Sequence, residues 1–290
     1  MPILQMPDGR GLEVVVSGPD QGTAVVFHHG TPGCAIPFGP FVDEFAARGL
    51  RLVTYSRAGY GGSDRLAGRS VADIAADMRS VLDQLEIDRS YTMGWSGGGP
   101  HVLATAALLP ERVIAAVSLA GVAPYEAPGL EWMSGMGAEN IAEFGAAVEG
   151  SEALEAFLSK EGQWVRRVTA DEVIEGFGDL VSDADKRVLT GEFAEWTAAG
   201  LRDSQRNGIW GWFDDDLAFV KPWGFDIGAI SRPVAVWQGD QDRMVPVNHG
   251  PWLAAHVGSA HPRLRPGEGH LSLTIGHMSD ILDDMLALAS

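Results

Sequence analysis

The sequence predicts an α/β fold: a mostly parallel sheet covered by helices on both faces and interrupted once by a long helical insertion. Three observations carry this. Short apolar, β-rich runs alternate with segments of helical period through the first part of the chain. The alternation stops near residue 122 and gives way to helical, acidic, tryptophan-rich sequence. It resumes at Pro233. Alternation of this kind implies parallel strands joined by crossover helices.

The elements follow in order. Residues 12–16, 24–27 and 50–55 read as strands, the last ending in the turn Arg57-Ala58-Gly59-Tyr60-Gly61-Gly62. Residues 38–48 and 71–85 have helical spacing, the second with Val71, Ile74, Ala75, Met78, Leu82 and Leu85 on one face. A strand at 91–93, a helix at 100–109 and a buried strand at 113–119 complete the first block. After the insertion come a buried strand at 233–237, a short one at 262–264 and a final helix. The division expected is a core of residues 1–121 and 231–290, with a helical cap of residues 122–230 between the sixth and seventh core strands.

Composition bounds the function. A chain of 290 residues with 46% hydrophobic content can bury a substantial core. The net charge of −18 argues against nucleic acid, whose binding needs clustered Lys and Arg. No apolar run approaches the ~20 residues needed to span a bilayer. The first ten residues lack the pattern of a secretory signal, and Cys34 is the only cysteine, so a cytoplasmic location is expected. Cys34 itself reads as a small packing residue. Charge is uneven: residues 124–230 hold 21 acidic and 8 basic side chains, against 18 and 13 elsewhere.

Gly94-Trp95-Ser96-Gly97-Gly98 sits between a strand and a helix, and its G-x-S-x-G pattern describes a nucleophile elbow. The turn is too tight for large side chains two residues either side of the serine. The hydroxyl then stands above the sheet, facing the positive end of the following helix. A serine needs a base, and the base an orienting carboxylate. The strand at 233–237 leads into Gly239-Asp240-Gln241-Asp242, and the strand at 262–264 into Gly267-Glu268-Gly269-His270. Adjacent strand-end loops would bring Asp242 and His270 beside Ser96, in the order Ser, Asp, His.

In these motifs the chain resembles the α/β-hydrolases, and the likeness covers nearly its whole length. The resemblance selects Asp242 over Asp240, because the usual acid pattern G-x-x-D-x-x-x-P falls on Gly239, Asp242 and Pro246. It selects His270 over His277, because the base usually follows a glycine shortly before the last helix. His28-His29-Gly30-Thr31-Pro32-Gly33 is similar to the family's H-G-x-P loop. The implied oxyanion donors are the backbone N–H groups of Gly97 and of Thr31, since Pro32 has none to give.

Six of the nine tryptophans lie in the expected cap: Trp132, Trp164, Trp196, Trp210, Trp212 and Trp223. Trp210, Trp212 and Phe213 are candidates for a substrate wall, together with His29 and Trp95 beside the catalytic loops. The aromatics would equally fasten the cap to the core. Asp214, Asp215 and Asp216 are expected to cap a helix from Leu217, or to lie on a solvated surface, or to hold a substrate ammonium. No histidine spacing suggests a metal, and no glycine run suggests a nucleotide, so no metal or cofactor is expected. The reading is two-step acyl transfer on a small-molecule ester or related acyl bond. A proline iminopeptidase-like aminopeptidase and a ligand-binding protein of the same fold remain alternatives; the oligomeric state is not legible.

Overall fold

The computed structural model describes residues 1–289. An eight-stranded sheet runs through it: β1 (Ile3–Gln5), β2 (Gly11–Ser17), β3 (Thr23–His28), β4 (Leu50–Tyr55), β5 (Ser90–Trp95), β6 (Val113–Leu119), β7 (Val234–Gly239) and β8 (Ala260–Arg265). Their spatial order is β1-β2-β4-β3-β5-β6-β7-β8; the β1–β2 and β2–β4 pairs are antiparallel and the other five pairs are parallel. The mostly parallel sheet is therefore as expected, and β1 is new. It is three residues long and largely exposed, so hydrophobic patterning carried no trace of it.

Helices α1 (Gly39–Ala47), α2 (Ile74–Gln84) and α3 (Gly98–Leu108) connect the first strands. Six more fill the gap between β6 and β7: α4 (Ala138–Glu149), α5 (Ser151–Val165), α6 (Ala170–Phe177), α7 (Asp183–Val188), α8 (Gly191–Ser204) and α9 (Trp210–Phe219). Helices α10 (His249–His256) and α11 (His270–Ala287) follow β7 and β8.

Strand side chains alternate between the two faces, and the core divides accordingly. Val25 and Phe27 of β3 join one cluster, Ala24 and Val26 the other. The first cluster also takes Leu154, Leu158, Leu201 and Trp212 from the insertion. The insertion thus packs its apolar residues into the same layer as Phe27 and Trp95. The inner strands β5 and β7 are buried along their whole length. The edge strand β8 instead carries Pro262, Arg263 and Arg265, residues that blunt a free edge against further pairing.

Candidate active site

The turn that carries Ser96, the candidate nucleophile, is built as the glycine spacing requires. Ser96 follows β5 directly and holds φ +57°, a left-handed conformation that costs a non-glycine residue roughly 1–2 kcal/mol. It persists because the turn is tied on both sides. The Ser96 N–H donates to Leu119 O at 2.8 Å, and Gly99 N–H donates to Ser96 O at 2.9 Å. A Cβ on Gly94 would stand 2.5 Å from Gly98 O. Ser96 therefore sits one residue before the turn into α3, whose N-terminus faces it.

Asp242 and His270, the candidate acid and base, meet across two strand-end loops. His270 Nδ1 donates to Asp242 Oδ2 at 2.8 Å, which leaves Nε2 for proton transfer. Asp242 is fixed by its surroundings: Oδ1 accepts the Met244 and Val245 N–H groups at 2.9 and 2.8 Å, and Oδ2 accepts Gln238 Nε2 at 3.2 Å. Burial alone would lower the His270 pKa, but the Asp242 carboxylate outweighs it and holds the imidazole above its ordinary value. Asp240 faces solvent and accepts the Gly267 N–H at 2.8 Å, a loop-closing role. Trp95 donates Nε1–H to His270 O at 3.2 Å and stacks on the imidazole with ring centroids 5.7 Å apart. The ring lies against the His270 imidazole rather than away from it.

The loop after β3 is held from beneath. Arg57 donates to the carbonyl oxygens of His29 and Gly30, the latter at 2.9 Å, and to Thr31 Oγ1 at 3.0 Å. His29 Nδ1–H donates to Gly30 O at 2.6 Å while Nε2 accepts the Arg57 N–H at 3.0 Å, which fixes one neutral tautomer. Burial, and then the Arg57 charge, keep its pKa well below the usual histidine value. The backbone N–H groups of Thr31 and Gly97 find no acceptor among the described residues. A Cβ on Gly97 would collide with Thr31 Oγ1, so the two loops are in close contact.

The aspartate run neither precedes a helix as a cap nor lies on a solvated surface. Asp214, Asp215 and Asp216 lie inside α9, not before it, and all are buried. Arg65 binds Asp214 at 2.7 and 3.0 Å. Arg57 and Arg69 bind Asp215 at 2.6 and 2.7 Å. These two carboxylates are neutralised by arginines of the first block, so neither is free for a substrate ammonium. The tryptophan expectations divide as well. Trp212 lines the cavity described below; Trp210 and Phe213 point to Arg65, whose guanidinium carbon lies 4.2 and 5.5 Å from their ring centroids. Cation–π contact explains that placement.

A cavity of about 740 Å³ opens between the sheet and the insertion. Ser96, His270, Thr31, Trp95 and His29 share its wall with Trp164 and Trp196, two aromatics that nothing in their spacing singles out from the others. Cys34 also borders it, but burial pushes the thiol up to about 12, so it stays protonated. Among the described residues no helix is long and apolar enough to cross a membrane.

Comparison with known proteins agrees with this architecture. A non-heme chloroperoxidase of Streptomyces lividans is 31% identical over 148 residues, 50% of this chain and 54% of that one, so the match spans about half of the relative. A non-heme haloperoxidase of Rhodococcus erythropolis is 25% identical over 281 residues, covering 95% and 94% of the two chains. Among solved structures, a thermophilic esterase from Thermogutta terrifontis superposes with a TM-score of 0.72 at 17% identity, over 100% and 99% of the chains. The family model described as alpha/beta hydrolase fold matches residues 23–275. The chain belongs to the α/β-hydrolase fold family and is an enzyme of that family.

Proposed function

We propose that the protein is a serine hydrolase that cleaves a carboxylic ester or related acyl bond of a small, largely apolar molecule. One observation carries this reading: Ser96, in its left-handed turn, shares a cavity wall with His270, whose Nδ1 is held by a buried carboxylate. Ser96 Oγ attacks the carbonyl carbon as His270 Nε2 takes its proton. The oxygen that gains charge is held by the Thr31 and Gly97 N–H groups. His270 returns the proton to the leaving alcohol, giving an acyl-serine, and then activates the water that releases the acid. We take residues 122–230 to act as the cap that roofs the cavity. The Trp164, Trp196 and Trp212 rings favour apolar acyl or alcohol groups.

The aminopeptidase alternative loses the support it drew from Asp214 and Asp215, whose charges are already paired. The names of the haloperoxidase relatives favour a second reading, in which hydrogen peroxide replaces water on the acyl-serine and a peracid leaves. The deciding experiment is a turnover panel of p-nitrophenyl esters, lactones and proline anilide, each with and without hydrogen peroxide. A fluorophosphonate probe is run alongside. Ester turnover and a probe adduct confined to Ser96, lost in Ser96→Ala, are expected. An adduct elsewhere, or none, would sink the hydrolase reading.

A further inference from the structure

We propose that Asp215, carried by helix α9 of the insertion, is a positioning residue for the oxyanion loop. The insertion would then complete the catalytic site as well as roof it. This rests on the reading of Ser96 as nucleophile and of the Thr31 N–H as an oxyanion donor.

The carboxylate has no solvent exposure and is saturated by donors. Oδ2 accepts Thr31 Oγ1–H at 2.8 Å, Tyr60 Oη–H at 2.8 Å and Arg57 Nη2 at 2.6 Å; Oδ1 accepts Arg69 Nη1 at 2.7 Å. Through these bonds it reaches Thr31 twice: directly at Oγ1, and through Arg57, which also donates to Thr31 Oγ1 and to the two preceding carbonyl oxygens. The Thr31 side chain is therefore fixed as donor to one group and acceptor from another. With its Cβ held in this way, the direction of the Thr31 N–H is set by a residue 184 positions away in the chain.

The platform beneath is rigid. Arg69 Nη2 donates to Gly211 O at 3.0 Å and also reaches Ala58 O. A Cβ on Gly59 would stand 2.8 Å from Gly211 N, so the turn after β4 and the start of α9 touch backbone to backbone. Neither side has room to slide. The charges around the group add a discriminating feature. Two guanidinium groups face the one Asp215 carboxylate, His28, His29 and His101 are kept neutral by burial, and burial holds the Asp216 carboxyl well above the usual carboxylate range. The cluster thus holds a net positive charge behind the oxyanion loop. Removing the Asp215 charge would increase that positive field, which by itself favours a developing oxyanion. A loss of turnover on neutralising Asp215 therefore reports positioning, not field.

The test uses the full chain, p-nitrophenyl butyrate as substrate and an octyl trifluoromethyl ketone as probe. The ketone carbonyl takes Ser96 Oγ, its oxygen becomes the hemiketal oxyanion, and the serine proton passes to His270. Thr31→Val keeps the side-chain shape and removes both hydrogen bonds. It should lower kcat by about 10–100-fold and weaken the ketone by the same factor, with KM within about two-fold, because only transition-state contacts are lost. Thr31→Ser should restore most of the loss. Asp215→Asn should reproduce the Thr31→Val pattern; should it fail to fold, the threonine pair still decides. If Thr31→Val retains kcat and ketone affinity within about two-fold, or if kcat and KM shift without any change in ketone affinity, the positioning role is overturned. Fluorophosphonate labelling of wild type separates the two layers. Without Ser96-dependent labelling the hydrolase reading itself falls; with it, a silent Thr31→Val removes only the role of Asp215.

Discussion

Asp185 Oδ1 accepts the backbone N–H of Leu271, the residue after the candidate base, at 2.7 Å, and the N–H of Ser272 at 2.9 Å. The first N–H groups of a helix have no partner within it, and here a carboxylate from α7 of the insertion supplies one to α11. Asp185 is itself held, its Oδ2 accepting Ser182 N–H and Oγ–H at 3.1 and 2.9 Å. A Cβ on Gly269 would collide with Asp185 Oδ2, which gives the glycine before His270 a steric reason. Asp185 and Asp215 thus tie the insertion to the two loops that carry His270 and Thr31.

Replacing Asp185 should therefore act on stability and on the base together. Asp185→Ala removes a buried helix cap, a loss of about 1–2 kcal/mol in urea unfolding. Asp185→Asn keeps the shape and removes a charge that adds to Asp242 in favouring the His270 imidazolium. The base must be neutral to work, so kcat/KM should rise with pH through the His270 pKa, above the ordinary value of about 6.5. In Asp185→Asn that rise should move to lower pH. A pH–rate profile that moves upward would remove Asp185 from the electrostatics of the base.

Asp242 and Asp240 should separate sharply. Asp242→Asn deprives His270 Nδ1–H of its acceptor and favours the wrong tautomer; in the serine protease precedent this change lowers turnover about 10⁴-fold. Asp240→Asn affects an exposed loop contact with Gly267 and should leave kcat within about three-fold, as for most surface substitutions. Steady-state kinetics on a p-nitrophenyl ester reads both. Reversed magnitudes would mean that the acid is Asp240.

The contrast between these residues shows which parts of the site a sequence exposes. The elbow and the Asp242 and His270 loops are local patterns, because glycine spacing and strand-end position state their geometry within a few residues. Asp185 and Asp215 are legible only through partners 86 and 184 residues away. In one dimension they are two more acids in an acidic segment, and their burial cannot be foreseen without the distant donors that hold them: Arg57 and Arg69 for Asp215, the Leu271 and Ser272 N–H groups for Asp185. The same holds for the tryptophans. Trp164 and Trp196 face the cavity, while Trp210 turns toward Arg65, and nothing in their spacing distinguishes them. The parallel sheet was legible because alternating periods report topology directly. Strand β1, short and exposed, lay outside that signal.

The Glu143–Asp216 pair should make the protein less stable as pH rises. Glu143, on α4, borders the cavity and accepts Trp212 Nε1–H at 2.7 Å. Asp216, on α9, has no solvent exposure, and neither carboxyl oxygen has a hydrogen-bond partner among the described residues. Burial pushes Glu143 up to about 7, partly opposed by the Trp212 hydrogen bond, and holds Asp216 well above the carboxylate range, with the Glu143 charge adding to it. Both groups therefore bind protons more tightly folded than unfolded, where a glutamate titrates near 4.3. Folded protein holds the extra protons between that value and about 7, so stability from the pair is complete below the window and falls as pH rises through it. Glu143→Gln removes this titration while leaving an amide that can pair with Asp216. Urea unfolding of both proteins should show little difference near pH ~4.5 and a variant more stable by on the order of 2 kcal/mol near pH ~8. Titrating groups that are not coupled to Glu143 cancel in the difference between the two proteins. A wild type no less stable than Glu143→Gln near pH ~8 would mean that ionising Glu143 costs the folded state nothing.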